Sequence, residues 1–191
     1  MRRDPILIAA PARSGTTMLA WLLHLHGVWI GNARPTDDPS TNPQVGTEND
    51  DIIAYLRNPA DWPDGLERIV PPDTRWLLKT GMLLPERHRF YDAFPEATWL
   101  LPRRPLEDIM ASRDRTNRRS GARTGDRVRQ HLALQAKIPV EASRALVIDP
   151  ARLCKGGQEG EEEARRAVEY CGLTFYPENY HGWVQPERWH F

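Results

Sequence analysis

The chain has 191 residues, which suffice for one domain with a buried core but are few for two, so we predict a single domain over residues 1–191. Its 26 Lys and Arg residues balance 26 Asp and Glu residues, and overall charge therefore gives no attraction to nucleic acid or to an anionic membrane. Two cysteines without metal-ligand spacing, and no apolar stretch near the ~20 residues of a membrane span, favour a cytoplasmic protein without a structural metal.

Four short apolar runs predict β-strands, namely "ILIAA" from Ile6, "RWLLK" from Arg75, "ATWLL" from Ala97 and "ALVID" from Ala145. Each run is almost continuously apolar, as strands covered on both faces are. Helical patterns separate the runs: "MLAWLLHLHG", "TENDDIIAYL", "PERHRFYDAF" and "PLEDIMASRDR". This alternation predicts the α/β class, with an open parallel β-sheet that is flanked by helices on both faces.

Two segments outside these runs also carry predictions. The polar, proline-rich stretch "ARPTDDPSTNPQVG" from Ala33 is expected to form a loop over the edge of the sheet, long enough to serve as a lid or a substrate-binding segment. The C-terminal "FYPENYHGWVQPERWHF" is rich in aromatic residues and is expected to pack on the domain.

The segment "APARSGTT" joins the first predicted strand to the first predicted helix. A Walker A loop reads G-x-x-x-x-G-K-[ST], and here Ala10 and Gly15 stand in its glycine positions. Thr16 replaces the lysine, whereas Thr17 keeps the hydroxyl that binds a metal. A strand, a tight turn and a helix N-terminus still direct backbone N–H groups at one point. We therefore expect an anion site, to which Arg13 would add positive charge.

A second segment, "LLPRRPLEDIMASR", lies at the end of the third predicted strand. Its two arginines, Arg103 and Arg104, precede a predicted helix that carries Ser112. Ligands of an open parallel sheet bind beyond the carboxyl ends of its strands, so this segment and the opening turn are expected to face one crevice. An arginine can donate two hydrogen bonds to a phosphate, and a serine hydroxyl can add a third.

Plainer interpretations stand beside these predictions. Ser14 or Thr16 would serve as an ordinary cap of the first helix, and the arginine pair would lie in solvent with Ser112 as a filler. The arginine-rich run "SRDRTNRRSGARTGDRVRQ" either contacts an anionic ligand or forms a solvated face. It lacks the interleaved aromatic residues on which single-stranded nucleic acid stacks, so we expect no nucleic-acid partner.

These segments together resemble the sulfotransferase family, and the chain is identified as a small bacterial or phage-type member with a P-loop fold. "PARSGTT" is similar to the family's 5′-phosphosulfate loop, P-R-S-G-T-[ST], with Ala12 inserted, and "RRPLEDIMAS" is similar to its 3′-phosphate segment, R-R-P-L-[DE]-x-x-x-A-S. Further similarity follows in the same order along the chain, in "NPQVGTENDDI", "LLKTG", "FPEATWLLPRRP" and "ALVIDPARL". Gly81 stands where the family has a proline.

The resemblance implies that 3′-phosphoadenosine 5′-phosphosulfate (PAPS) is the sulfuryl donor and 3′,5′-adenosine bisphosphate the product, with no metal. The acceptor would be a hydroxyl or an amine of a small molecule or a glycan. Either Arg103 or Arg104 would hold the 3′-phosphate, and we favour Arg104 because its separation from Ser112 matches the bacterial form. The implied donor-binding residues are Pro11, Ala12, Arg13, Ser14, Gly15, Thr16, Thr17, Arg103, Arg104 and Ser112.

Three residues are the catalytic candidates of such an enzyme: Arg13, Lys79 and Glu48. By analogy with phosphoryl transfer, Arg13 and Lys79 would neutralise charge on the moving group and on the leaving phosphate. Glu48 stands where the bacterial family has a glutamate and would take the acceptor's proton, with Asp50 and Asp51 in reserve. A solvated strand-end lysine and a glutamate that stabilises the first turn of its helix are the plainer alternatives.

Two other functions suit the same residues. One is a P-loop small-molecule kinase that uses ATP and magnesium, and the other is a non-catalytic anion-binding module of the same fold. The absent Walker lysine and the arginine segment before Ser112 favour PAPS over ATP. The sequence leaves the oligomeric state open.

Overall fold

A four-stranded parallel sheet forms the centre of the structure, a computed structural model that describes residues 4–31, 50–57, 61–115 and 122–184. The sheet order is β2-β1-β3-β4, and every neighbouring pair of these strands is parallel. The strands lie within one or two residues of the apolar runs that predicted them, and the α/β class is confirmed. Their bounds are β1 (Ile6–Ile8), β2 (Leu77–Lys79), β3 (Thr98–Pro102) and β4 (Arg144–Ile148).

Helices fill the connections between the strands. One of them, α5, lies in the arginine-rich run, where the sequence predicted no helix. Two short 3₁₀ helices, at Asp64–Arg68 and Gly81–Leu83, flank β2. The α-helices are α1 (Thr16–Leu25), α2 (Asp50–Arg57), α3 (Arg87–Ala93), α4 (Leu106–Arg115), α5 (Ala122–Gln135), α6 (Ile138–Glu141), α7 (Pro150–Cys154), α8 (Gly157–Tyr170) and α9 (Pro177–Trp183).

Apolar clusters cover both faces of the sheet, because successive side chains of a strand point to opposite faces. Ile6 and Ile8 of β1 belong to a cluster that includes residues of α1, α8 and α9. Leu7, between them, belongs to the opposite cluster, with residues of α2, α3 and α6. The predicted helical cover of both faces is therefore present.

The edge strand β4 differs from the sequence prediction. Its run of apolar letters predicts cover on both faces, yet Arg144 to Val147 are only half-buried and Ile148 alone is buried. β4 is an edge strand with one neighbour, β3, but β2 at the other edge also has one neighbour and is buried throughout, so an edge position does not by itself expose a strand. An uninterrupted apolar run thus predicts a strand more reliably than it predicts burial of both faces of that strand.

The C-terminal aromatic segment packs on the domain as far as it is described, since Tyr180 and Trp183 of α9 are buried in the first cluster. Residues 185–191 lie outside the described part, as do the predicted loop from Ala33 and the proposed base Glu48. None of the described helices is long and apolar enough to cross a membrane. Among the described residues, no group of acidic, histidine and cysteine side chains is arranged to hold a metal ion.

Candidate functional site

The crevice at the carboxyl ends of β1 and β3 is the candidate site. The chain that leaves β1 re-enters the sheet at β2 on one side, and the chain that leaves β3 re-enters at β4 on the other side. Such a reversal of direction between adjacent parallel strands opens a space in which α/β proteins bind ligands. The turn at residues 9–15 leaves β1 here, and the arginine segment at residues 103–105 leaves β3.

The N-terminus of α1 begins directly after this turn with its backbone donors available. Its N-cap is Gly15, in the left-handed conformation, and among the described residues no side chain caps the helix. By contrast, α7 begins after β4 with a cap, because the Asp149 carboxylate accepts from the N–H groups of Ala151 and Arg152 at 2.9 and 3.2 Å. Neither Ser14 nor Thr16 acts as the cap that the plainer interpretation required. The open end of α1 is suited to an anion.

Arg13 adopts a backbone conformation that is unusual for a long side chain. Its φ is 77°, in the left-handed region that glycine adopts at little cost. Next to it, the buried Ser14 Oγ has no hydrogen-bond partner among the described residues. Strained backbone and an unsatisfied buried hydroxyl are costly, and they concentrate at binding sites.

Side-chain hydrogen bonds join the turn to the arginine segment and to β2. Arg13 Nε donates to Ser112 Oγ at 3.1 Å, and Arg104 Nη1 donates to the Arg13 carbonyl oxygen at 3.2 Å. Lys79 Nζ, at the end of β2, donates to Thr17 Oγ1 at 3.0 Å. The structure therefore brings together five of the residues that the sequence singled out from distant parts of the chain.

The two arginines of the segment differ in their surroundings. Arg103 is exposed, and its N–H continues the β3–β4 ladder by donating to Ile148 O at 2.9 Å. Arg104 is only 8% exposed, and this burial lowers the pKa of its guanidinium from the ordinary value, although Asp108 acts in the opposite direction. A desolvated cation gains more from a neighbouring anion than a solvated one does.

Gly15 is required by close packing as well as by its backbone conformation. Its φ is 80°, and a Cβ placed on it would stand 2.7 Å from Pro150 Cβ, at the start of α7. The turn after β1 is thus pressed against the chain that leaves β4. This contact joins residues that are far apart in the sequence, one beyond β1 and the other beyond β4, and no local motif predicts it.

Gln135, at the end of α5, is a residue of the site that the sequence analysis missed. It is 1% exposed, and its Nε2 donates to Ala9 O at 2.8 Å and to Pro102 O at 3.1 Å. The only signal in the sequence is an uncharged polar residue in the run "HLALQAKI". A buried side-chain amide needs hydrogen-bond partners, so a glutamine in an apolar run predicts a polar contact in the core. It does not predict which residues are the partners.

No protein-family model matches the sequence, and no curated protein matches it either. Among solved structures, the sulfotransferase STF1 from Mycobacterium tuberculosis H37Rv is similar with a TM-score of 0.59 at 16% identity, over 96% of this chain and 71% of that one. Sulfotransferase STF9 from Mycobacterium avium gives a TM-score of 0.59 at 13% identity, over 95% of this chain and 67% of that one.

The sulfotransferase domain of the olefin synthase from Synechococcus PCC 7002 is similar over 98% of this chain and 80% of that one, with a TM-score of 0.54 at 14% identity. Likeness at these identities shows the fold. The chain therefore has the fold of bacterial sulfotransferases, and the resemblance seen in its motifs is confirmed at that level.

Proposed function

We propose that the protein is a PAPS-dependent sulfotransferase, which transfers a sulfuryl group from PAPS to a hydroxyl or an amine of a small molecule or a glycan. One observation carries the proposal, namely the direct junction of two anion-binding segments through Arg13, Ser112 and Arg104. A nucleotide with phosphates on both its 5′ and its 3′ oxygen needs two such neighbouring sites. The sulfotransferase fold supports the same assignment.

The donors of the crevice fit an anionic nucleotide. The open N-terminus of α1 and the Arg13 guanidinium would bind the 5′ end. Arg104 and Ser112 would bind the 3′-phosphate, which would place negative charge beside the desolvated guanidinium. A phosphate oxygen would also offer an acceptor to Ser14 Oγ, which has none among the described residues.

Bound PAPS would supply a sulfuryl group attached to a leaving phosphate. In the transfer the bond from sulfur to that phosphate breaks, a bond from sulfur to the acceptor forms, and the acceptor loses a proton. Lys79 and Thr17, joined at 3.0 Å, lie beside the turn and would stabilise negative charge on the leaving oxygen. Glu48 remains our candidate for the base, on the resemblance of its motif.

Isothermal titration calorimetry with 3′,5′-adenosine bisphosphate, AMP and ATP tests this proposal. Because each charged hydrogen bond contributes about 1.5–3 kcal/mol, the bisphosphate should bind about two to four orders of magnitude more tightly than AMP, and without a divalent metal. Equal affinities for the two would contradict the proposal. Tighter, magnesium-dependent binding of ATP would instead indicate the kinase.

Two variants refine the test. Replacing both Arg104 and Ser112 with alanine should remove most of the preference for the bisphosphate, and it should weaken AMP far less, through the lost contacts to Arg13 alone. Arg103→Ala is the matched control, because this arginine is exposed, and it should keep the preference. Slow release of the bisphosphate from PAPS with water as acceptor would then distinguish an enzyme from an anion-binding module.

A further inference from the structure

The ladder between β1 and β3 ends at two prolines, one on each strand. In a parallel ladder, the N–H of a residue donates to the C=O of one residue on the neighbouring strand. The C=O of the same residue then accepts from the N–H that lies two positions further along that neighbouring strand. Ala9 N–H donates to Leu100 O at 3.1 Å, so the next donors in register would be residues 102 and 11. Both are prolines, which have no N–H.

The two carbonyl groups left without a ladder donor are those that Gln135 contacts. Ala9 O would accept from residue 102, and Pro102 O would accept from residue 11. The Gln135 amide has two N–H bonds, and its Nε2 lies 2.8 Å from Ala9 O and 3.1 Å from Pro102 O. The side chain of α5 thus replaces both missing backbone donors at the point where the strands separate.

We propose that Gln135 is a positioning residue that fixes the distance between the two anion-binding segments. Ala9 lies two residues before Pro11 at the start of the turn, and Pro102 directly precedes the arginine segment. Since both carbonyls are held by one amide group, the segments cannot separate without breaking at least one of its hydrogen bonds. The consequence for nucleotide binding rests on the proposed function.

The inference predicts that loss of Gln135 affects the binding of two nucleotides differently. A nucleotide that binds one segment, such as AMP, is insensitive to the spacing between the segments. A nucleotide that binds both segments at once, such as 3′,5′-adenosine bisphosphate, requires the correct spacing. Losing Gln135 should therefore weaken the bisphosphate more than AMP, whereas a loss of general packing should affect both alike.

Gln135→Met tests the inference because it keeps the length of the side chain and removes both donors. Gln130→Met is the matched control, since Gln130 lies on the same helix and is exposed. A third variant adds Pro102→Ala to Gln135→Met, which gives residue 102 an N–H that can donate to Ala9 O. Gln135→Asn, one methylene shorter, takes the place of the methionine variant if that protein does not fold.

Amide hydrogen exchange in the ligand-free protein reports on the spacing without any assumption about function. Gln135→Met should accelerate exchange of the N–H groups of Ala9 and Arg103, at the carboxyl ends of β1 and β3. The N–H groups of Ile6 and Thr98, bonded at 2.9 and 3.0 Å at the amino ends, should keep their rates. Equal acceleration at both ends, or none, overturns the inference.

Nucleotide titration then measures the functional consequence. Gln135→Met should reduce the ratio of AMP to bisphosphate dissociation constants about tenfold, as expected for the loss of one to two hydrogen bonds, and Pro102→Ala should restore part of it. An unchanged ratio in Gln135→Met overturns the functional half of the inference. If the unaltered protein shows no preference for the bisphosphate, the proposed function fails, and the exchange rates alone decide the role of Gln135.

Discussion

Lys79 shows how a single residue of the site differs from what its sequence position suggests. A lysine at the end of a strand is usually solvated, but Lys79 is 7% exposed and donates to Thr17 at the N-terminus of α1. The contact points its ammonium group toward the open helix end. On the proposed function this position would place a cation beside the leaving oxygen, and we therefore expect Lys79 to act in the transfer.

We predict that Lys79→Met lowers the turnover of PAPS about 10²–10³-fold, the usual effect of losing one donor that stabilises developing charge. The dissociation constant of the bisphosphate should change little, since the contact strengthens only as charge develops. Release of the bisphosphate, with water as acceptor, gives the rate. Lys155→Met, at an exposed lysine, is the control, and a loss confined to affinity would assign Lys79 to ground-state binding.

The ion pair between Arg87 and Glu141 joins α3 to α6. Arg87 Nε and Nη2 donate to the carboxylate at 2.7 and 3.3 Å, and Tyr91 Oη donates to it at 3.2 Å. The hydrogen bonds from Arg87 are the main cause that lowers the pKa of Glu141. The pair therefore stabilises the fold above the ordinary glutamate pKa and ceases to do so as the pH falls through the lowered value.

We predict that Glu141→Gln destabilises the protein by about 0.5–1 kcal/mol at pH 7, a modest value because the carboxylate is partly exposed. The difference from the unaltered protein should shrink as the pH falls below about 4, where the glutamate itself becomes protonated. Urea unfolding at pH 7 and at acidic pH measures it. A difference that stays constant with pH would show that packing, and not charge, is responsible.

Two glycines in different elements should respond in opposite ways to the same substitution. Gly15→Ala should destabilise the protein by about 1–3 kcal/mol, because the residue has a positive φ and its Cβ would collide with Pro150. Gly182→Ala, in α9 with open space around it, should stabilise the protein by about 0.5–1 kcal/mol. Thermal unfolding compares them, and equal effects would contradict the packing argument.

The elements that the sequence predicted are those with a local signal. Continuous apolar runs marked the four strands, and α1 ends at Leu25, just before the glycine that closes its run "MLAWLLHLHG", with the N–H groups of Gly27 and Val28 donating to His24 O and Leu23 O. Helix α5 went unnoticed because arginines obscure its apolar positions. The contacts of Gln135 and Pro150 went unnoticed because they depend on the sheet order and not on neighbouring residues.

At the scale of the whole molecule, the two cysteines are free thiols in the core, with Cys154 3% and Cys171 2% exposed. Burial raises the pKa of the Cys171 thiol to about 12, despite Arg75 and Arg144 nearby. It likewise raises the pKa of Tyr180 to about 12. The folded state thus resists the loss of these protons, and the stabilisation is complete only below their ordinary values of about 8.5 and 10.

We predict that a thiol reagent such as DTNB labels neither cysteine of the folded protein at pH 8 except through unfolding, whereas it labels both in urea. The free energy of unfolding should fall as the pH rises from about 8.5 towards 12, because the unfolded chain loses protons first. Urea midpoints at pH 8 and pH 10.5 test this. A rapid thiol reaction without denaturant would be inconsistent with the buried positions.

The left-handed backbone of Arg13 has a consequence for how variants of this protein would fare under selection. Glycine adopts that conformation freely, and this relief offsets the loss of the hydrogen bond from Arg13 Nε to Ser112 Oγ, so a library screened only for resistance to heat or protease should tolerate Arg13→Gly at little net cost. The same library screened for retention on immobilised 3′,5′-adenosine bisphosphate should keep the arginine. The frequencies of arginine and glycine at position 13 would therefore reveal an evolutionary trade-off between stability and nucleotide binding.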